Sequence, residues 1–334
     1  MRQHNHSVLL LGGELKLGLP VIRCLGEVPE LSIHYAAREK TSTRFSRYLN
    51  SYLELSGENE AEQLKSLKDI IHETGSDVLL PIDEPSAEFV IKYKNDLSPV
   101  VSISPLPDLD TLHQVIRKNV LNEWLEEHDL PFAKIWKMPS RPKETLPESL
   151  TFPILLKPVW DRGGDADGIN VRMFDDRQEM DAYIEEHKID TNNYLLQEYI
   201  PGYDIDCSLL CKEGKILAHT LQKGFILQDL QYSPGIELLH KPEFLEQIEL
   251  IISKLNWSGI CHLDFRYDGW DKTYKLVDFN ARYWTTLLGS LVAAGVNFPY
   301  LAYQSALGET FPVPEYENIH FVLTITRFKG AVQI

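Results

Sequence analysis

The sequence predicts a mixed architecture: an open parallel α/β sheet over about the first hundred residues, then a longer region built on antiparallel hairpins. Three observations carry this. Short apolar runs alternate with helical patterns between Ser7 and Ile103. Residues 205–220 and 260–283 each read as two strands around a turn that contains glycine. A connection marked by Pro105 and Pro107 separates the two regions. With 334 residues the chain exceeds one compact core of ordinary size, so two or three subdomains are expected.

Residues 7–11 form a short apolar run ending in Gly12-Gly13, with a helix expected through Leu25. Residues 33–37 supply a second strand and 51–55 a third. Leu64, Leu67, Ile70 and Ile71 recur at helical spacing within 60–74. The run DVLLPI at 77–82 is a buried type of strand; 85–94 reads as helix and 100–103 as a further strand. Gly12, Gly13 and Gly18 do not spell GxGxxG, and no acidic residue clearly closes the second strand. A tight strand-to-helix turn therefore outweighs a dinucleotide site. Asp83, Glu84 and Ser86 follow the carboxyl end of a strand, where open α/β sheets bind ligands. Capping of the next helix explains them equally well.

Past the connection, 108–129 reads as one or two helices, ending before Leu130-Pro131. Residues 133–138 form a strand, and the Pro- and charge-rich 140–150 a surface loop. FPILLKP at 152–158 is a strand that ends on Lys157, followed by a glycine-rich loop at 159–168 and a strand at 169–174. A helix at 176–188, a strand at 195–200 and a hairpin around Glu213-Gly214 come next. A helix at 244–255 leads into the second hairpin; 287–308 is mostly helical, and 321–328 is a final strand.

Composition narrows the function. Hydrophobic residues at 43% and charged residues at 25% are ordinary for a soluble globular protein. A net charge of -16 argues against nucleic acid or anionic membranes as partners, since both demand a basic surface. Cys24, Cys207, Cys211 and Cys261 show neither CxxC nor a paired histidine spacing, so they read as buried thiols of a reducing cytosol. The opening apolar run is short for a signal peptide and no stretch approaches membrane-spanning length, so a cytoplasmic protein is expected.

The second hairpin is the chemical centre. Side chains alternate along a strand, so His262, Asp264 and Arg266 share one face. On the partner strand Asp278, Asn280 and Arg282 share a face, while Val277, Phe279 and Ala281 point away. A hairpin centred near Asp271 places Asp264 opposite Asp278 and His262 opposite Asn280. Carboxylates directly opposite repel, which suggests a cation between them; Asp and Asn oxygens suit Mg²⁺. A solvated face would account for the hairpin taken alone.

Three further features share a logic. Lys157 feeds a glycine-rich loop, an arrangement that grips nucleotide phosphates because glycines let backbone N–H groups approach the oxygens. Gln197-Glu198-Tyr199-Ile200 ends an apolar strand and turns through Pro201-Gly202 towards Asp204 and Asp206. Lys118 opens a helix and could supply a second phosphate contact. Singly, each lysine reads as a solvated side chain and YIPGYD as a turn. Their joint order is harder to dismiss.

That order, from Lys118 through FPILLKP, the glycine-rich loop and LLQEYIPGYDID to HLDFRYD and YKLVDFNARYW, resembles ATP-grasp enzymes, the superfamily of biotin carboxylase, carbamoyl-phosphate synthase and carboxylate–amine ligases. The resemblance covers about 108–308 and implies three parts. These are an α/β pre-ATP-grasp domain at 1–107, a small lobe with lid at 108–194, and a large antiparallel lobe with the metal-binding hairpin at 195–334. It implies that Lys118 and Lys157 bind ATP phosphates, with Gly163 and Gly164 in the lid. Gln197, Glu198 and Ile200 would form the hinge at adenine, with Asp204 on the ribose. Asp264, Asp278 and Asn280 would hold Mg²⁺ or Mn²⁺, and Arg282 would neutralise the phosphoryl group or the acceptor carboxylate.

The sequence departs from the common pattern in three places. Asp264 and Asp278 stand where Glu is frequent, Asp204 replaces a Glu, and the lid carries Asp161, Asp165 and Asp167. The implied activity is ADP-forming ligation of a small-molecule carboxylate to an amine, in a possible homodimer. Phosphorylation of bicarbonate, or a decayed ATP-binding regulatory protein, are the alternatives; a dehydrogenase on the N-terminal sheet is disfavoured by its glycine spacing.

Overall fold

The computed structural model describes residues 6–13, 15–138, 147, 149–159, 171–224 and 235–322. The N-terminal part runs β1 (Ser7–Leu11), α1 (Leu15–Gly26), β2 (Ser32–Ala37), β3 (Ser51–Glu54), α2 (Glu60–Thr74), β4 (Val78–Pro81), α3 (Glu84–Lys92), α4 (Lys94–Leu97) and β5 (Ser102–Ile103). All five strands are parallel, in the order β3-β2-β1-β4-β5. β1 and β4 are buried along their whole length, which is why both read as unbroken apolar runs. Gly12 makes the expected tight turn: a Cβ there would lie 2.3 Å from Ile82 Cγ1.

Two helices follow, α5 (Leu109–Ile116) and α6 (Lys118–Glu127), broken at Arg117 where the backbone turns extended. Then come β6 (Ile135–Lys137), β7 (Ile154–Pro158), β8 (Arg172–Phe174), α7 (Arg177–Glu186) and β9 (Tyr194–Glu198). The four strands form an antiparallel sheet in the order β6-β9-β7-β8 around Ile154, Leu156, Phe174, Met180 and Leu196. β9 pairs with β7, so this sheet takes in residues past 194, the boundary expected from sequence. The apolar stripes of α5 and α6, including Leu112, Val115, Leu121 and Leu125, pack into the core of the next sheet.

That sheet is built from β10 (Gly202–Lys212), β11 (Lys215–Gly224), β12 (Gly235–Leu239), then after α8 (Pro242–Lys254) β13 (Gly259–Asp268) and β14 (Thr273–Asn280). α9 (Leu287–Ala294), α10 (Phe298–Ala306) and β15 (Ile319–Val322) complete the chain's described elements. The six strands are antiparallel in the order β14-β13-β10-β11-β12-β15. The two-residue turn between β10 and β11 holds Glu213 at φ 51° and Gly214 at φ 72°, the paired positive values that a tight hairpin needs. The region expected to be mostly helical at 287–308 is two helices, parted by Gly295 at φ 69° and by Asn297, which accepts from Tyr300 N. The final strand begins earlier than expected, at Ile319, and its expected continuation from 323 lies outside the described residues.

α8 covers one face of this sheet with Phe244, Ile248, Ile251 and Ile252. On the other face, Leu210, Trp284, Leu287 and Phe298 share a single core with Val8, Leu10, Ile22 and Tyr35 of the N-terminal sheet. The carboxyl edge of the parallel sheet is thereby held against the end of the β13–β14 hairpin. Among the described residues no helix is long and apolar enough to cross a membrane.

Candidate active site

Both pairings expected from sequence occur: Asp264 lies opposite Asp278 and His262 opposite Asn280. The next pair is Phe265 with Leu276, so Val277 is an extra residue bulged out of β14. This bulge returns Lys275 to the face of Asp278, a common way of re-aiming side chains beside a site. It also leaves the Val277 carbonyl accepting from Gln197 Nε2 at 3.3 Å, which ties β9 to the hairpin.

β10 adds what the hairpin lacks. Its register places Asp206 opposite Asp264 on one side and Gln222 on the other. A polar row Gln222–Asp206–Asp264–Asp278 thus crosses four strands, beside a second row Thr220–Ser208–His262–Asn280. His262 hydrogen-bonds Ser208 Oγ through Nδ1 at 3.0 Å and lies 3.2 Å from Asp264 Oδ1 through Nε2. Its ring stacks on Trp284. Ligand atoms of Asp206, His262 and Asp264 all lie within 4.8 Å of one another.

The charges settle one another. Burial and the Asp264 carboxylate raise the Asp206 carboxyl above its ordinary range. Burial opposes protonation of His262, yet its hydrogen bond to Asp264 and the charges of Asp264 and Asp206 raise it overall. Burial would also raise Asp278, but the Lys118 and Lys157 ammoniums hold it below the usual carboxylate range. Lys118 Nζ donates to Asp278 Oδ2 at 2.8 Å. Asn280 Nδ2 donates to Asp264 Oδ2 at 3.0 Å, and Asn280 Oδ1 accepts from Arg282 Nη2 at 3.0 Å. Carboxylate and amide oxygens are hard donors of the kind Mg²⁺ prefers, and here Asp278 is engaged by Lys118 and the Asn280 oxygen by Arg282.

Lys118, Asp264, Asp278, Asn280 and Arg282 therefore come together, with Lys157 at the end of β7 close enough for its charge to act on Asp278. The expected hinge residues are engaged locally. Glu198 Oε2 accepts from Lys134 N at 3.1 Å, and its Oε1 lies 3.4 Å from Lys275 Nζ. The Ile200 carbonyl accepts from Arg266 Nε at 2.9 Å. Asp204 is paired with Arg266 Nη1 at 2.9 Å. Gly163 and Gly164, with Asp161, Arg162, Asp165 and Asp167, lie outside the described residues, as does 227–234.

A cavity of about 770 Å³ opens between the hairpin and the carboxyl edge of the parallel sheet. Lys118, Asn280 and Arg282 line one wall; Gly13, Arg38 and Glu84 line the other. The sequence left two uses open for Asp83, Glu84 and Ser86, and the structure divides them. Asp83 caps α3, accepting from Ser86 N at 3.0 Å, and also accepts from Gly13 N at 2.8 Å. Glu84 instead faces the site, its Oε1 3.8 Å from Arg282 Nε. Arg38 escaped the sequence reading, as did the role of His262 and the pairing that joins Asp206, named there beside Asp204, to the acidic row. Period-2 spacing puts Asp206 on the face of Asp204 but leaves its partner strand to tertiary pairing, and Arg38 carried no signal of either kind.

Comparison with known proteins follows the same outline. A family model described as "ATP-grasp in the biosynthetic pathway with Ter operon" matches residues 190–330. The chain is 23% identical over 279 residues to a D-aspartate ligase of Enterococcus faecium (strain Aus0004), covering 74% of this chain and 64% of that relative's length. An L-amino acid ligase structure from Bacillus licheniformis superposes with a TM-score of 0.67 at 18% identity, over 92% of this chain and 75% of that one. The biotin carboxylase domain dimer of the Hydrogenobacter thermophilus 2-oxoglutarate carboxylase, in complex with MgADP, ADP and bicarbonate, gives 0.69 at 16% identity, over 95% and 73%. At these identities the structural likenesses speak for the fold.

Proposed function

We propose that this chain, an ATP-grasp protein by fold, is an ATP-dependent, ADP-forming ligase that activates a carboxylate as an acyl phosphate and joins it to an amine. One observation carries the reading: Asp264, Asp278, Asn280, Arg282 and Lys118 converge on one end of a hairpin beside a cavity with room for small molecules. The relative that acts as a D-aspartate ligase and the L-amino acid ligase neighbour support the reaction class.

In this reading Lys118 and Lys157 bind ATP phosphates, Gln197, Glu198 and Ile200 meet adenine, and Asp204 takes the ribose after exchanging its contact with Arg266. Gly163 and Gly164 belong to the lid. Asp264, Asp278 and Asn280 would hold Mg²⁺ or Mn²⁺, which supplies charge neutralisation at the phosphates when bound. The solved neighbour with MgADP supports that pairing of nucleotide and metal. A substrate carboxylate oxygen attacks the γ-phosphorus and ADP leaves. An amine nitrogen then attacks the acyl carbon, phosphate leaves, and the nitrogen loses its proton. Such transfer asks for positioning and charge neutralisation more than for covalent chemistry, and the chain's own cations provide both.

The partners are a small-molecule carboxylic acid and an amine. A homodimer, the commonest closed assembly among soluble oligomers, is the assembly this reading expects. Four free, buried cysteines suit a reducing cytoplasm.

ADP release from ATP·Mg²⁺ with pooled carboxylates and amines, bicarbonate and ammonia included, tests the proposal. ADP should form with one carboxylate pool only. ATP binding with silence across every pool would instead favour a regulatory role, and absence of ATP binding would sink the reading.

A further inference from the structure

Asp206, His262 and Asp264 form a cluster that the ligase chemistry does not use as a set. Asp206 and Asp264 face each other across β10 and β13, and His262 precedes Asp264 by two residues on the same face. The charges of Lys118 and Lys157 answer Asp278, whereas the positive charge that answers Asp206 is that of His262. His262 is only 8% exposed, while 40% of the Asp264 side chain reaches solvent and gives the cluster a way in. The imidazole is fixed by its stack on Trp284 and by Ser208 Oγ, 3.0 Å from Nδ1. With the Ser208 hydroxyl accepting from Nδ1, Nε2 turns a lone pair toward the carboxylates, the support that metal-binding histidines receive.

We propose that Asp206, His262 and Asp264 bind a transition-metal divalent cation of the Zn²⁺ class, apart from any ion carried by a nucleotide. His262 Nε2 and Asp264 Oδ1 are 3.2 Å apart, close to the separation of about 3.4 Å between two ligand atoms of a tetrahedral zinc ion. An Asp206 oxygen lies within 4.8 Å of both, a gap that rotation of its carboxylate closes. One imidazole nitrogen with two carboxylate oxygens favours Zn²⁺ over Mg²⁺, because imidazole suits the softer ion and oxygen the harder one. Three protein ligands leave a fourth position open. Asp264 Oδ2 stays with Asn280 Nδ2, so one carboxylate links this site to the end of the hairpin where Lys118 meets Asp278. The ion clamps β10 to β13 and offsets the negative charge of the row. Its binding needs neither nucleotide nor ligation, so it stands or falls apart from the ligase proposal.

Metal-stripped protein, free of nucleotide, is titrated with Zn²⁺ by calorimetry and with Co²⁺ as a visible-absorption probe of the ligand set. One equivalent of Zn²⁺ should bind and resist a roughly hundredfold excess of Mg²⁺. Ser208→Ala keeps all three ligands and should weaken Zn²⁺ binding about tenfold or more, the usual cost of losing the group that orients a ligating histidine. His262→Gln should weaken it further and change the Co²⁺ absorption, since the nitrogen ligand is gone. The Ser208 variant also guards against a His262 variant that fails to fold. Asp278→Asn should cost less than His262→Gln, because Asp278 lies outside the set. Absence of Zn²⁺ uptake by the wild type, or unchanged affinity in either Ser208→Ala or His262→Gln, would overturn the assignment. So would displacement by equimolar Mg²⁺, or a loss in Asp278→Asn as large as that in His262→Gln, which would place the ion at the Lys118 end. Zn²⁺ binding as expected with no ADP release on any carboxylate would overturn the ligase proposal and leave this site standing.

Discussion

At Asp278 two opposite influences meet in one carboxylate. Asp264 stands directly across the strands, while the Lys118 ammonium lies 2.8 Å away and Lys157 adds its charge. Such a group is held ionised by its cations, and it presents a permanent negative charge to whatever they leave uncovered. Asp278→Asn keeps the shape and removes that charge. We expect ADP release to fall by roughly 10²–10³-fold or more, the scale seen when one electrostatic contact of a preorganised site is lost. Melting and far-UV circular dichroism should stay close to wild type, because relief of the Asp264 repulsion offsets the weakened Lys118 contact. A variant with ordinary turnover would remove Asp278 from the chemistry. Asp264, Asp278 and Asn280 were legible in the sequence because they belong to one hairpin, where alternation and turn position decide the pairs. Asp206 was not, because its neighbour is chosen by strands that meet across a long stretch of chain.

Among the elements, β10 and β13 carry the heaviest geometric demand. Gly202 opens β10 against β13, and a Cβ there would lie 1.8 Å from the Tyr267 carbonyl oxygen. No side-chain rotation relieves a contact with backbone. Gly202→Ala should therefore destabilise by at least about 1–3 kcal/mol, the usual cost of overpacking, and lower the melting temperature by several degrees. A thermal melt within one degree of wild type would show that the strands accommodate the methyl group by sliding. The bulge at Val277 is the other elemental device, since without it Lys275 and Asp278 would fall on opposite faces. The turn at Glu213-Gly214 was readable in advance from its glycine. The bulge was not, because no single residue type announces it.

In the whole molecule the cores are unequal. The parallel sheet and the large antiparallel sheet share one cluster through α1, α9 and α10, whereas the four-stranded sheet packs around its own smaller set of side chains. Native-state hydrogen exchange should then show β7 and β9 amides opening at lower free energy than those of β1, β10 and β13. Equal protection across all three sheets would contradict this division. The shared core of the other two sheets keeps Glu84 facing Arg282.

By itself the sequence determined the class of fold and the heart of the site. Period-2 alternation, a glycine turn and apolar runs act over a few residues, so the hairpin and its opposed carboxylates could be read before any contact was seen. The order of Lys118, Lys157 and the DFNAR strand then pointed to ATP-grasp chemistry by resemblance. Only the tertiary structure decided that Asp206 joins the acidic row, that Asp83 caps while Glu84 faces Arg282, and that the first sheet shares a core with the last helices. Those outcomes depend on strand register between distant segments and on how two sheets pack, and neither is written in the spacing of neighbouring residues.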